Sequence, residues 1–229
     1  MKSHILHVIC IFSALATTLM AIGCSSSSSS PIIEQSIYID LSQPCIESSQ
    51  EDSIVIPQDI IAITQYCGDF WDCGNNCYDI YGYSISSGKA FPICTNSSFQ
   101  SWAAVSGNIV VWADGRNGQI GQDGLPDNLD IYGYNLSSNT EFSICTNSSM
   151  QNLPAISGDT VVWTDGRNGN SDIYGYNLAT HIEFPVCTAQ NDQQSPFIRE
   201  DMAFWIVDSR IEGGDAYGIY GARLTFDTE

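Results

Sequence analysis

From about residue 36 onward the chain is a succession of short apolar runs, each five to seven residues long and each closed by a cluster of Gly, Asn, Asp and Ser. Val, Ile, Trp and Tyr dominate the runs, and no segment places apolar residues at i, i+3, i+4 and i+7 for long enough to make a helix, so the content is strand. The clearest stretch predicts four antiparallel strands at 153–157, 160–164, 172–178 and 183–188. Near the C-terminus, 195–199, 202–207 and 217–225 predict three more.

The runs recur. Cys94-Thr-Asn-Ser-Ser and Cys145-Thr-Asn-Ser-Ser are each followed at the same offset by a Ser-Gly turn and then Val-Val-Trp. Cys187 stands 14 residues ahead of Asp201 and Cys45 stands 14 ahead of Asp59, each followed by an apolar run. The equivalent Cys positions lie 49, 51 and 42 residues apart, a period that signals propellers or solenoids. A four-stranded unit exposes apolar side chains on both faces, and stacking such units in series buries those faces against neighbours. The fold expected is therefore all-β, a β-propeller of about four four-stranded antiparallel blades. The last blade lacks a fourth strand in its own segment, and the apolar run from Ser36 through Ile46, with Cys45 at the fourth-strand position, is expected to supply it.

Two copies carry the turn Asp-Gly-Arg-Asn-Gly, at Asp114 and Asp165, and three carry Asp-Ile-Tyr, at Asp79, Asp130 and Asp172. The segment Ser157-Gly-Asp-Thr-Val-Val-Trp163, then Asp165 to Asn170, then Asp172-Ile-Tyr174, resembles the TolB-type β-propeller repeat. In that repeat a D-x-R-x-G-N turn is followed after one residue by D-I-Y. The resemblance spans roughly residues 37–225. It implies binding to other proteins at the cell envelope, the role of most such proteins; a few related propellers are enzymes.

The first residues are a different matter. Lys2, an apolar run from Ile5 to Ile22, Gly23 and Cys24 read as a lipoprotein-type signal peptide over 1–24, with Cys24 as the lipidation site. Residues 25–36 begin with six serines and read as a flexible tether, which leaves 37–229 for the propeller domain. The membrane is therefore reached through a lipid anchor only, at the periplasmic or extracellular face.

Charge narrows the partners. The net charge is −19, and only 7 Lys and Arg are present in 229 residues with no basic cluster, so nucleic acid is excluded. An envelope or surface protein, or a polysaccharide, is the partner expected. The two loops that depart most from the repeat, 67–77 and 118–128, sit at equivalent places and are expected to share the binding face. Their candidate contact residues are Asp69, Phe70, Trp71 and Asp72 in the first, and Gln119, Asp123, Leu125 and Asp127 in the second.

Candidate chemistry is sparse. Cys45, Cys94, Cys145 and Cys187 belong to different blades, too far apart to bridge, and are expected as buried thiols. Cys67 and Cys77 flank one loop and are the disulfide candidates, leaving Cys73 unpaired; the three together form no common zinc spacing. Asp165, Asn168, Asn170 and Asp172 offer oxygen ligands of the kind calcium takes, against the plainer reading of a turn in which Arg167 or Arg116 pairs with a neighbouring Asp. No cofactor is otherwise expected. Beyond the signal the one histidine is His181, in a loop, so no Ser-His-Asp triad is available. The functional expectation is a non-catalytic binding propeller. The alternatives are a propeller-type hydrolase or lyase acting on a polysaccharide, and a structural surface repeat protein without a specific ligand.

Overall fold

The computed structural model describes residues 60–66, 78–122, 125–208 and 217–226. The chain divides into two units, Met1–Pro44 and Cys45–Glu229. The signal peptide, the tether, Cys24 and the segment expected to close the last blade all lie outside the described residues, as does the Cys67–Cys77 loop with Asp69, Phe70, Trp71 and Asp72.

Among the described residues fourteen strands form four antiparallel sheets, each in simple up-and-down order. The first sheet is β1 (Ile60–Tyr66), β2 (Tyr78–Ser84) and β3 (Lys89–Cys94). The second is β4 (Gln100–Ser106), β5 (Ile109–Asp114), β6 (Asp130–Asn135) and β7 (Thr140–Cys145). The third is β8 (Gln151–Ser157), β9 (Thr160–Asp165), β10 (Asp172–Asn177) and β11 (Ile182–Cys187). The fourth is β12 (Gln193–Arg199), β13 (Met202–Asp208) and β14 (Tyr217–Arg223). Two sheets thus have the four strands expected. The other two have three among the described residues, the first sheet lacking its first strand and the fourth its last.

The sheets pack in series, and the second strand of each shows why the sequence is apolar there without alternation. All six residues of β9 are buried, because Val161 and Trp163 face the second sheet while Val162 faces the fourth. In β5, Val110 and Trp112 face the first sheet while Val111 and Ala113 face the third. A strand covered on both faces reads as a continuous apolar run. The outer strand β7 by contrast runs from exposed Thr140 and Glu141 to buried Ile144 and Cys145.

The first strand of the second, third and fourth sheets carries the same irregularity. Its register shifts between Ser101 and Ala104, between Asn152 and Ala155, and between Gln194 and Phe197. Inside each shift one residue takes a left-handed backbone, Trp102 at φ 55°, Leu153 at 53° and Ser195 at 53°. These are β-bulges, in which the extra residue bends the strand. The bulge also explains why β8 begins at Gln151 and not at 153 as the alternation predicted. Gln151 and Asn152 lie beyond a break in the period, so their polarity read as loop. Gln100, Gln151 and Gln193 are instead fully buried at the head of their strands. Their Nε2 groups donate into the preceding turn, to Ser98 Oγ, Ser149 O and Asn191 O.

Serine hydroxyls tie successive sheets together. Gly158 N donates to Ser106 Oγ at 3.0 Å, and Glu200 N donates to Ser157 Oγ at 2.8 Å.

Candidate binding face

The second and third strands of each sheet are joined at one end, and there the repeat places its charged turn. In the third sheet Asp165 ends β9 fully buried. Its Oδ2 accepts from Trp163 Nε1 at 2.8 Å and from Arg167 Nη2 at 2.7 Å; its Oδ1 accepts from Arg167 N and Nε, both at 2.9 Å. Arg167 also lies over the Tyr174 ring at 4.1 Å, donates to Glu183, and reaches Cys145 Sγ of the preceding sheet at 3.2 Å. The second sheet repeats this. Arg116 binds Asp114 at 2.7 Å, covers Tyr132 at 4.1 Å, donates to Glu141 and meets Cys94 Sγ at 3.3 Å. One arginine thus joins three strands of its own sheet to the sheet before it. The Asp165 carboxylate holds the Arg167 guanidinium above its ordinary pKa.

Sequence reasoning anticipated the Arg–Asp pairing but not the thiol in the same cluster. A signal was present, since Cys94 to Arg116 and Cys145 to Arg167 are both 22 residues apart. Cys94 and Cys145 are free and buried, as expected of the repeat cysteines. Cys187 is free but only half-buried, a departure from that expectation. The fourth sheet, against which it packs, offers apolar Val207 opposite Gln193, where Asp114 and Asp165 stand opposite Gln100 and Gln151. Cys45 lies outside the described residues.

Burial pushes the Cys94 and Cys145 thiols up to about 12 from an ordinary 9.0. Between these values the folded chain keeps protons that the unfolded chain releases, so stability must fall as pH rises through 9 toward 12. Urea denaturation at pH 8 and pH 10.5 should show the wild type losing about 4 kcal/mol more than a Cys94→Ala/Cys145→Ala variant over that interval, about 2 kcal/mol for each thiol. Equal losses would mean that the thiols titrate as in water.

The four calcium candidates occupy this one turn, and their bonding is explicit. Asp165 is ladder partner to Asp172. Asp172 Oδ2 accepts from Asn168 Nδ2 at 2.6 Å and its Oδ1 accepts from Asn170 Nδ2 at 3.0 Å. Both carboxylates are therefore occupied by N–H donors. Among the described residues no three His, Cys, Asp or Glu side chains are grouped to hold a metal ion. The same amide clamp holds Asp130 through Asn117 and Asn128, and burial raises its carboxyl pKa against those two donors. His181 is an exposed turn residue at φ 57°, with Nδ1 3.2 Å from Tyr176 Oη.

Where the third sheet has this short turn, the second has the longer loop 118–128, whose described residues pair antiparallel, 119–121 against 125–127. Ile120 and Pro126 make an antiparallel bridge. Asp127 N donates to Gln119 O at 2.9 Å, Gln119 N to Asp127 Oδ1 at 2.7 Å, and Gly121 N to Leu125 O at 2.8 Å. The base is fastened by close approach to glycine backbone. A Cβ on Gly115 would stand 2.6 Å from Pro126 Cγ, and one on Gly118 would stand 2.5 Å from Asn128 O. Gln119 and Asp127 thus serve the loop's own geometry. Leu125 and Ile120 are 45% and 62% exposed; Ile120 was not among the residues picked from sequence. Asp123 lies outside the described residues, as does the equivalent loop 67–77 between β1 and β2.

No family model and no curated protein sequence matches the chain. Solved structures do. TolB from Acinetobacter baumannii aligns with a TM-score of 0.53 and 16% identity, over 72% of this chain and 38% of that one. A TolB-type protein from Agrobacterium tumefaciens aligns at 0.50 and 16% identity, over 66% of this chain and 50% of that one. The β-propeller domain of the Trilobed protease from Pyrococcus furiosus, described as having an open velcro topology, aligns at 0.52 and 11% identity, over 74% and 50%. The chain spans about half or less of the length of these structures. The repeated antiparallel sheets of three and four strands, packed in series, give this chain a TolB-like β-propeller fold.

Proposed function

We propose that the chain is an exported propeller, held at the cell envelope by a lipid on Cys24, which binds another macromolecule, foremost a protein, through the loops joining the second and third strands of its sheets. The observation that carries this reading is the loop 118–128. Its described residues bond to one another through the backbone, and two of them, Ile120 and Leu125, are exposed aliphatic side chains. Exposed aliphatic side chains flanked by polar residues cost solubility unless a partner covers them, and the backbone bonds around them preorganise them for binding. Loop 67–77, with Phe70 and Trp71, joins it in this reading because it connects the equivalent strands.

The test replaces both loops by the eight-residue turn 165–172 of the third sheet. Capture of envelope components from intact cells by cross-linking should fall at least tenfold, while the melting midpoint of the variant stays within a few degrees. Undiminished capture with the fold intact would refute the loop proposal. Turnover of a polysaccharide panel by the unmodified protein would make it an enzyme instead.

A further inference from the structure

At the other end of the strands, away from loop 118–128, the three sheet-to-sheet junctions also repeat, and each is finished differently. The residue that turns from the first strand into the second is Asn108 in the second sheet, Asp159 in the third and Asp201 in the fourth. At the first junction Asn108 Nδ2 donates to Ser137 Oγ at 2.6 Å. At the third, Arg223 Nη1 donates to Asp201 Oδ2 at 2.6 Å; three residues later Phe226 sets its ring edge against Phe184 with centroids 5.3 Å apart. The chain's own Arg-Leu-Thr-Phe segment therefore fills that junction with a cation on the carboxylate and a ring on the ring.

The middle junction has the same carboxylate and the same ring but, among the described residues, no occupant. Phe142 holds the place of Phe184, opposite Gly133 as Phe184 is opposite Gly175. Asn177 holds the register position of Arg223, opposite the first residue of its neighbouring strand. It turns back on its own loop, its Oδ1 accepting from Ala179 N at 3.0 Å and Thr180 N at 2.9 Å. Asp159 is exposed and its carboxylate meets no donor among the described residues. What remains is an open groove of about 390 Å³ bounded by Ile109, Phe142, Asp159, Leu178 and His181. It continues past Asp159 into a second hollow of about 410 Å³ at Gly107 and Gly158.

We propose that this groove docks an extended peptide segment carrying a cationic side chain followed three residues later by an aromatic one, with the cation on Asp159 and the ring on Phe142. The net charge of −19 favours a cationic segment over an acidic one by steering as well as by contact. The site is distinct from the loops of the opposite end, so a loop swap leaves it intact and the two proposals fail or stand separately.

The probe is the acetylated, amidated peptide Arg-Leu-Thr-Phe, titrated to millimolar concentration against isotope-labelled protein with amide resonances observed. Saturable shifts are expected at Asp159, Leu178 and His181. Replacing the peptide's Phe by Ala should weaken binding at least fivefold. Asp159→Asn, which disturbs no bond in the protein, should weaken it about two- to fivefold, the range of an exposed ion pair. Ala179→Trp, which narrows the groove from an exposed position, should abolish the shifts. Equal affinity for the Phe and Ala peptides, shifts confined to loop 118–128, or no change in Asp159→Asn would each overturn the proposal.

Discussion

Arg167→Met should cost the protein about 3 kcal/mol of stability at neutral pH, measured by urea denaturation. The reason lies in what the substitution leaves behind. Asp165 is fully buried, and three of its four donors come from Arg167, two of them from the guanidinium. Methionine keeps most of the apolar stem that lies over Tyr174 but removes the charge, so a carboxylate remains in the interior with only Trp163 Nε1 and one backbone N–H. Removing one partner of a buried pair is costly in proportion to that desolvation, whereas a pair at the surface is worth little. Glu183 is the control. It meets the same guanidinium from a side chain 33% exposed, so Glu183→Gln should cost no more than about 1 kcal/mol. Arg116→Met should repeat the result in the second sheet, where Asp114 is equally buried. A loss below 1 kcal/mol for both arginine variants would show that water reaches the two carboxylates.

Much of this was legible in the sequence because the repeat writes its folding instructions more than once. The Val-Val-Trp runs declared the strands, and the Asp-Gly-Arg-Asn-Gly turns declared where β9 meets β10. The Arg–Asp pairing within the turn needs only neighbours in sequence, so it was visible. The contact from Arg167 to Cys145 was not, because it crosses from one sheet to the next, and only the equal 22-residue spacing hinted at it. The buried glutamines at the head of β4, β8 and β12 were hidden by a different cause. A bulge resets the period of two, so Gln100, Gln151 and Gln193 fall out of the alternation that marks a strand interior. Ile120 escaped notice because a single aliphatic residue among Gly, Gln and Asp gives no pattern, and its role depends on the bridge to Pro126.

The largest contrast expected is between two isoleucines in the same place on different sheets. Ile173 is the second residue of the Asp-Ile-Tyr strand β10 and is fully buried, as is Ile131 in the second sheet, because the following sheet covers that face. Ile219 stands at the same register in β14, opposite Ile206, and is 80% exposed. Phe204 and Ile206 share its face at 37% each, where Val111 and Ala113 of the second sheet are fully buried. The same isoleucine recurs in every sheet, at Ile80, Ile131, Ile173 and Ile219, so chemistry does not separate these four residues; cover does. Ile173→Ala should cost about 3–4 kcal/mol through lost burial and the cavity left behind. Ile219→Ala should change stability by no more than about 0.5 kcal/mol, as expected of an exposed side chain. A cost above about 2 kcal/mol for Ile219→Ala would mean that the face is covered in solution. Its dependence on protein concentration would then identify the cover, since a second copy stabilises by mass action and a segment of the same chain does not.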